Sequence, residues 1–483
     1  MGGRSTLRPY AWLYSLLASY FITTRRATIR VCGAALTPLV RSVPCPPPMS
    51  STMKILLVNP RWAGFGNRKK VKVREEEVEP LTLGIIAALS PGHDVTILDE
   101  NVRGVRFGRE WDLVGITATT FTAPRAYEIA ERFRALRIPV VMGGVHASMM
   151  PQECLLHCDA VVRGEAEPVW QTVLQDVQDR ALRPLYEGGM LTDMSQIPIP
   201  RRDLYSRSNA QAVYVQFSRG CGWTCEFCYL QYVKWEQHRM RPIEQIVDEV
   251  KDIPQPYLLI VDDNLFIDRA YALQVFEALT PLRKYWWAQA PTTIGDDDEL
   301  LAAAYRSGCF ALSIGFQTVN NSSLQLAQVA QNRIEYYAKL VQNLHKHKLL
   351  VDGTFIFGFD TDTPAIFKDT VDSIRALQLD AHTFYMVTPY PETPFYRRLE
   401  ADGRIVDKNW AHYDWDHAVI EPKGMSAQQL TDGVKWAYDT MDAGQWRWVA
   451  QQLQHNAWVL RRSPKLAAFL LRQNLPQRYA VDY

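Results

Sequence analysis

Cys221, Cys225 and Cys228 fall within eight residues, in the run Ser218-Arg219-Gly220-Cys221-Gly222-Trp223-Thr224-Cys225-Glu226-Phe227-Cys228-Tyr229. Three thiolates on one short loop can hold three corners of an iron–sulfur cubane and leave its fourth iron open to a cofactor or substrate. A structural zinc would need four ligands in a closed shell. No fourth Cys or His follows at short spacing, although folding could bring His238 in. The other cysteines (Cys32, Cys45, Cys154, Cys158, Cys309) show no pairing pattern, so the eight together indicate metal or redox chemistry in a reduced compartment. Cys154 and Cys158 stand one helical turn apart; they could face a metal or be small buried residues of a core-facing helix.

Charge narrows the partners. Residues 1–52 hold six arginines and no lysine or acid, so the net +1 of the chain becomes −5 once they are set aside. A mildly acidic body argues against nucleic acid as the main partner. Tyr10 to Ile22 is an apolar run of 13 residues between arginines, short for a membrane span. It fits a targeting segment, or an over-long start preceding the buried-strand sequence that opens at Met53. No other stretch reads as a stable membrane span, and the cytoplasm is the expected location.

The elements that must position the cysteines form two alternating blocks. Candidate strands Lys54–Asn59, Asp94–Asp99, Leu113–Ala118, Pro139–Gly144 and Ala160–Gly164 alternate with amphipathic stretches such as Ala123–Leu136. Continuous Val/Ile/Leu runs separated by helices predict a parallel sheet covered on both faces. Residues 53–185 therefore read as a doubly wound, Rossmann-like α/β domain, closed by a helix around Val169–Val177. A linker at 186–210 contains the helix-breaking Pro198 and Pro200. Residues 211–425 carry six more strands: Val213–Ser218, Leu258–Asp262, Trp286–Ala290, Ala311–Phe316, Asp352–Phe359 and His382–Thr388. With the intervening helices they predict a partial (β/α)6 barrel, whose active site would lie at the strand C-termini where the cysteine loop begins. Residues 426–483 read as a helical C-terminal region packed across an opening of the barrel. Trp286, Trp287, Tyr385 and Tyr390 could line an apolar pocket or simply fill the core.

The C-x-x-x-C-x-x-C spacing, with Phe227 before the last cysteine, resembles the signature of the radical S-adenosylmethionine superfamily. The resemblance implies a [4Fe–4S] cluster on Cys221, Cys225 and Cys228, with Phe227 packed near the adenine of S-adenosylmethionine. The methionine moiety would chelate the open iron, and electron transfer would release a 5′-deoxyadenosyl radical. Leu259-Ile260-Val261-Asp262-Asp263-Asn264 ends the second barrel strand, where relatives place acceptors for the methionine amino group. Asp262 or Asp263 suits that role, and N-capping of the next helix is the alternative. Gln317 stands where many relatives carry Glu. Ile356 and Gly358 lie in a run that resembles the adenine-binding strand, with Thr354 in place of its first glycine.

The run Thr388-Pro389-Tyr390-Pro391-Glu392-Thr393-Pro394 resembles the cobalamin-binding subgroup of that superfamily, and Thr388 is carried over as a cofactor contact. Matching runs in the first block are Pro80 to Gly84, Gly115 to Phe121, Gly143-Gly144-Val145-His146 and Gly164-Glu165-Ala166-Glu167. The resemblance implies cobalamin contacts at Thr117, Thr119, Thr120, Gly143, Gly144, His146, Gly164, Glu165 and Glu167. Glycines would let the backbone approach the corrin, and threonines would donate hydrogen bonds. Asn59-Pro60-Arg61-Trp62 stands where other cobalamin proteins carry D-x-H-x-x-G, so no histidine is expected below the cobalt. The expected activity is methylation of an unactivated carbon in a small-molecule, lipid or natural-product substrate, driven by an electron donor such as flavodoxin or ferredoxin. Oxidative cyclisation with the same cofactors is the alternative enzyme reading. A cobalamin sensor with a vestigial cluster site is the non-enzymatic one.

Overall fold

Apolar strands need cover on both faces, and the chain supplies it in two successive units. The computed structural model describes residues 52–62, 79–205, 212–232 and 237–442. Tyr10–Ile22, Cys32 and Cys45 lie outside the described residues, as does the C-terminal region beyond residue 442.

The first unit is a six-stranded sheet of β1 (Lys54–Asn59), β2 (Asp94–Asp99), β3 (Leu113–Thr117), β4 (Val140–Gly143), β5 (Ala160–Gly164) and β6 (Leu185–Gly189). All pairs are parallel, in the order β2-β1-β3-β4-β5-β6. Leu56, Val58, Val114 and Ile116 pack on one face against Ala126, Ile129, Ala130 and Phe133 of the helix Ala123–Ala135. Ile55 and Leu57 pack on the other against the helices Leu81–Ala88 and Trp170–Gln178. The expected strands are found within one residue at each end. The exception is β6, which falls in the stretch assigned to the linker. Only Tyr186 of its five residues is buried, so this edge strand has no apolar run to reveal it.

The second unit is an open barrel. Its strands are β7 (Ala212–Val215), the short β8 (Ser218–Arg219) and β9 (Arg239–Met240), then β10 (Tyr257–Ile260), β11 (Tyr285–Ala290), β12 (Cys309–Gln317), β13 (Leu350–Phe357) and β14 (Ala381–Met386). The six long ones run parallel in chain order from β7 to β14, and the sheet does not close between those two. Helices Ile243–Lys251, Arg269–Leu279, Asp298–Ser307, Tyr337–Lys346 and Ala365–Leu377 cover the outside. Gly308 ends the third of them at φ +112°, where a Cβ would sit 1.9 Å from the Lys284 carbonyl oxygen; only glycine fits there. Inside the barrel, Tyr257, Leu259, Trp287 and Phe310 form an apolar floor at the strand N-termini. Trp286 instead faces the helices, stacked on Phe276 at 5.1 Å.

The expected strand Val213–Ser218 is two strands, because the chain leaves the barrel after Val215 and pairs Arg219 antiparallel with Arg239. The helix Ala427–Asp442 covers the free edge of β14. Tyr438 Oη there donates to the Phe384 carbonyl at 2.9 Å and accepts from its amide at 2.9 Å. Among the described residues no helix is long and apolar enough to cross a membrane.

Candidate active site

The cysteine loop leaves β8 through Gly220, whose φ of +96° turns the chain over the barrel rim. Burial pushes the thiols of Cys221 and Cys225 up and that of Cys228 to about 12. The three lie close enough for Cys228 to feel the charges of the other two. Asn264 donates from Nδ2 toward Cys221 Sγ at 3.9 Å, and Gln331 from Nε2 toward Cys225 Sγ at 3.7 Å. Both amides leave a buried oxygen, Asn264 Oδ1 and Gln331 Oε1, with no hydrogen-bond partner. His238 stands against Tyr271, and among the described residues no three His, Cys, Asp or Glu side chains converge on one metal ion. Cys225, Phe227, Phe359 and Ile356 pack in one apolar cluster beside the loop. This is a donor set for a group that takes three separate thiolate corners, with N–H groups aimed at the sulfurs and spare acceptors alongside.

The two aspartates of β10's exit have different duties from those expected. Asp262 accepts from the Phe217 amide at 2.8 Å and from Ser218 Oγ at 2.5 Å, and burial raises its carboxyl to about 7. Asp263 accepts from the Gly220 amide at 2.8 Å. Both therefore tie down the chain entering the cysteine loop, Asp262 through both of its oxygens and Asp263 through one. Nor does either cap the following helix; Asp268 does, accepting from the Tyr271 amide. Gln317 sits at a bulge with φ +65° and folds its Nε2 back over Gly315. Gly358, at φ +101°, gives its amide to Asp362, and Thr388 turns its hydroxyl onto the Met386 carbonyl at 3.2 Å.

The first unit's candidates split into two groups. Thr117, Thr119, Thr120, Gly143 and Gly144 gather at the C-terminal ends of β3 and β4, where an open parallel sheet takes its ligand. Thr119 and Thr122 cap each other, whereas buried Thr120 Oγ1 has no partner. A Cβ on Gly143 would meet nothing nearer than 3.9 Å, so the backbone there is open to a close-lying ligand. Gly144 has φ +94° and packs onto Ala118. This lip, with an orphaned hydroxyl and bare glycine backbone, suits a large flat group with amide side arms.

Glu165 and Glu167 are tied up elsewhere, and His146 is held at one ring nitrogen with its buried Nδ1 left unpartnered. The His146 ring is wholly buried, its Nε2 held by Tyr127 Oη at 2.9 Å, and burial drops its pKa to about 3. Glu165 and Glu167 turn away from the sheet's lip to Arg219 and Arg239 of the barrel. Their cobalamin-contact reading gives way to interdomain ion pairs, because each guanidinium lies buried beside them. Gly164, at φ +84°, sets that turn. Cys154 and Cys158 are core residues, with both thiols raised to about 12 by burial.

Of the segment after β14, the sequence pointed to the run from Thr388 to Pro394 and to Tyr390, but not to the ring contacts through which it meets the first unit. Trp62 of the first unit lies 5.0 Å from Phe121, Phe121 lies 5.3 Å from Trp415, and Trp415 lies 5.9 Å from Tyr385 and 6.3 Å from Tyr390. Tyr390 reaches Tyr229, the residue after Cys228, at 5.8 Å. A row of aromatic rings thus joins the two units across the mouth. Trp62 Nε1 also donates to Asp414 at 3.2 Å. The density of Trp and Tyr between 410 and 415 was the available signal, but it carries no periodicity.

Two family models match in tandem: the B12 binding domain over residues 70–174 and the radical SAM superfamily over 215–374. The bacteriochlorophyllide d C-12(1)-methyltransferase of Chlorobaculum tepidum is 31% identical over 368 residues, 73% of this chain and 80% of that protein. The C-8(2)-methyltransferase of the same organism is 25% identical over 71% of this chain and 80% of its own. Among solved structures, the radical S-adenosylmethionine methyltransferase TsrM of Kitasatospora setae, with cobalamin and a [4Fe–4S] cluster bound, shares the fold. Its TM-score is 0.59 at 19% identity, over 73% of this chain and 78% of that one. The tandem of domains, the cysteine loop and the likeness to a methyltransferase over four fifths of its length agree: the chain belongs to the cobalamin-binding radical S-adenosylmethionine enzymes.

Proposed function

We propose that this enzyme is a radical C-methyltransferase whose substrate is a flat, largely apolar ring system of the tetrapyrrole kind. The observation that carries the substrate reading is the aromatic row from Trp62 through Trp415 to Tyr385 and Tyr390. Its half-buried members Phe121, Trp415 and Tyr385 line the mouth between the cobalamin-type sheet and the cysteine loop, with Trp62 and Tyr390 buried behind them. Ring faces and edges favour a conjugated, planar partner over an aliphatic or highly charged one. The likeness to bacteriochlorophyllide methyltransferases supports the same class.

When bound, the cluster and S-adenosylmethionine supply a hydrogen-abstracting radical, and cobalamin supplies the methyl group. The residues' own work is to hold and to exclude. Cys221, Cys225 and Cys228 would ligate the cluster, with Asn264 and Gln331 donating N–H groups to its sulfurs. Their unpartnered oxygens would be the acceptors for the methionine ammonium, whereas both oxygens of Asp262 are already engaged by Phe217 and Ser218. Phe227, Ile356 and Phe359 would form the apolar wall for the adenine, while Gly358 lets the strand end pack closely on Leu430 and Val387. Thr117, Thr120, Gly143 and Gly144 would meet the corrin's side arms. Trp415, packed between Phe121, Tyr385 and Tyr390, would help keep water from the radical. Reduction of the cluster calls for a one-electron carrier such as flavodoxin or ferredoxin.

The test is anaerobic incubation of the reconstituted enzyme with reductant, S-adenosylmethionine, cobalamin and bacteriochlorophyllide d. The expected product has gained one methylene unit, with 5′-deoxyadenosine and S-adenosylhomocysteine both formed. Oxygen gain or hydrogen loss with deoxyadenosine alone would instead establish a cyclase-like oxidation, and no deoxyadenosine under strong reductant would indicate a sensor.

A further inference from the structure

Four charged side chains lie buried where the two units meet. Arg219, two residues before Cys221, has a side chain only 9% exposed. Its Nη2 donates to Glu167 at 2.7 Å and its Nε to Gln216 at 2.8 Å, while Nη1 faces Glu165 at 3.4 Å. Arg239, its partner across the β8–β9 ladder, donates to both oxygens of Glu165 at 2.9 Å and to the Leu191 carbonyl at 2.6 Å. Both carboxylates stand on the turn that follows β5 of the first unit. Gly164 packs that turn against Gly189, so the acids are anchored to the sheet by backbone.

A buried quartet of this kind is a poor way to buy stability, because desolvating four charges cancels most of their attraction. What it supplies is geometry. A guanidinium held by two or three acceptors is fixed in both distance and plane, as an apolar contact of the same size is not. The hairpin it fixes carries the cysteine loop, and the turn it fixes belongs to the cobalamin-type sheet. On its other side the loop is braced by Asp263 through the Gly220 amide.

We propose that Glu165 and Glu167 are positioning residues that lock the cysteine loop to the cobalamin-binding unit through Arg219 and Arg239, holding the radical source and the methyl source at one fixed separation. The proposal rests on the two-cofactor reading above. Radical methyl transfer needs the substrate radical within reach of the methyl donor, and a misplacement of about 1 Å costs on the order of a hundredfold in rate. Loosening the lock leaves radical formation intact and spoils its capture.

The experiment compares wild type with Glu167→Gln in the cluster- and cobalamin-loaded holoenzyme. Pulsed electron paramagnetic resonance reads the dipolar coupling between the reduced cluster and Co(II), a measurement that needs no substrate. Wild type should show a single narrow distance and Glu167→Gln a broadened one, with iron and cobalamin contents unchanged. Turnover should show methylated product per 5′-deoxyadenosine falling about tenfold or more, while deoxyadenosine formation itself is retained. If Glu167→Gln does not load or fold, Glu167→Asp, which keeps the charge but shortens its reach, takes its place under the same criteria. An unchanged distance and an unchanged product ratio in a loaded variant would overturn the positioning role. A wild type that loads its cluster but retains no cobalt after removal of free cobalamin would overturn the two-cofactor reading itself.

Discussion

A carboxylate at the end of a barrel strand next to a cofactor loop invites a ligand-binding role, and at Asp262 the chemistry points the other way. Its two oxygens are consumed by the Phe217 amide and the Ser218 hydroxyl, in a site from which water is excluded. Burial raises its pKa from 3.8 to about 7. The folded state therefore binds a proton that the unfolded chain has already released between those values. Stability conferred by the protonated form is full below about pH 4 and is lost as pH rises toward 7, with a slope of at most one proton, about 1.4 kcal/mol per pH unit. Asp262→Asn should remove that slope, which urea denaturation across pH 4 to 7 would register. It should otherwise change stability by about 1 kcal/mol or less, since the Ser218 hydroxyl can turn to accept from the new amide N–H. An unchanged pH profile would assign the dependence to other groups. Legibility in the sequence was partial here: the position and acceptor chemistry were readable, but the partner of each oxygen lies 44 or 45 residues away.

At the scale of elements, strands and helices came through because burial on both faces imposes continuous apolar runs, and helices one face of spaced apolar residues. The elements that escaped are those held by something else: β6 at a sheet edge, and β8 and β9, two residues each, held by arginine–carboxylate pairs. The turn after β5 shows how a single backbone angle supports them. A Cβ on Gly164 would lie 2.4 Å from the Gly189 carbonyl oxygen at φ +84°, whereas at Gly92, with φ +79°, it would meet nothing within 4 Å. Gly92→Ala should thus cost only the left-handed strain, about 1 kcal/mol. Gly164→Ala should cost clearly more, about 2 kcal/mol or above, because backbone must also move. Denaturation midpoints of the two variants measure the difference, and equal costs would mean that the turn yields without penalty.

At the scale of the whole molecule, the unit that would bind cobalamin and the unit that carries the cysteines meet through specific side chains. Trp62, Phe121 and Trp415 meet by tilted and edge-on ring contacts across the mouth, Trp410 donates to Glu153 at 2.8 Å, and the arginine–glutamate quartet lies beside the cysteine loop. The histidine of this region is withdrawn into the same interface, with His146 locked to Tyr127 and edge-on to Trp410. The His146 Nε2 cannot reach a metal without breaking its contact with Tyr127, and the unpartnered Nδ1 is buried in the same interface. The Co(II) spectrum of the cobalamin-loaded enzyme should accordingly show no nitrogen hyperfine splitting from the protein, in wild type and in His146→Ala alike. A splitting present in wild type and lost in the variant would make His146 a cobalt ligand.

The amino-acid order by itself determined the two α/β units, their succession and the cysteine triplet. Each follows from local facts: periodic apolar runs, and three thiols within eight residues. Only the tertiary structure decided which polar groups around those cysteines are already engaged. Asp262 and Asp263 became braces, Glu165 and Glu167 became links between the units, and Asn264 and Gln331 were left with open acceptors beside the sulfurs. A side chain's chemical type is written in its own position, whereas its free valence depends on neighbours that the fold brings from far along the chain.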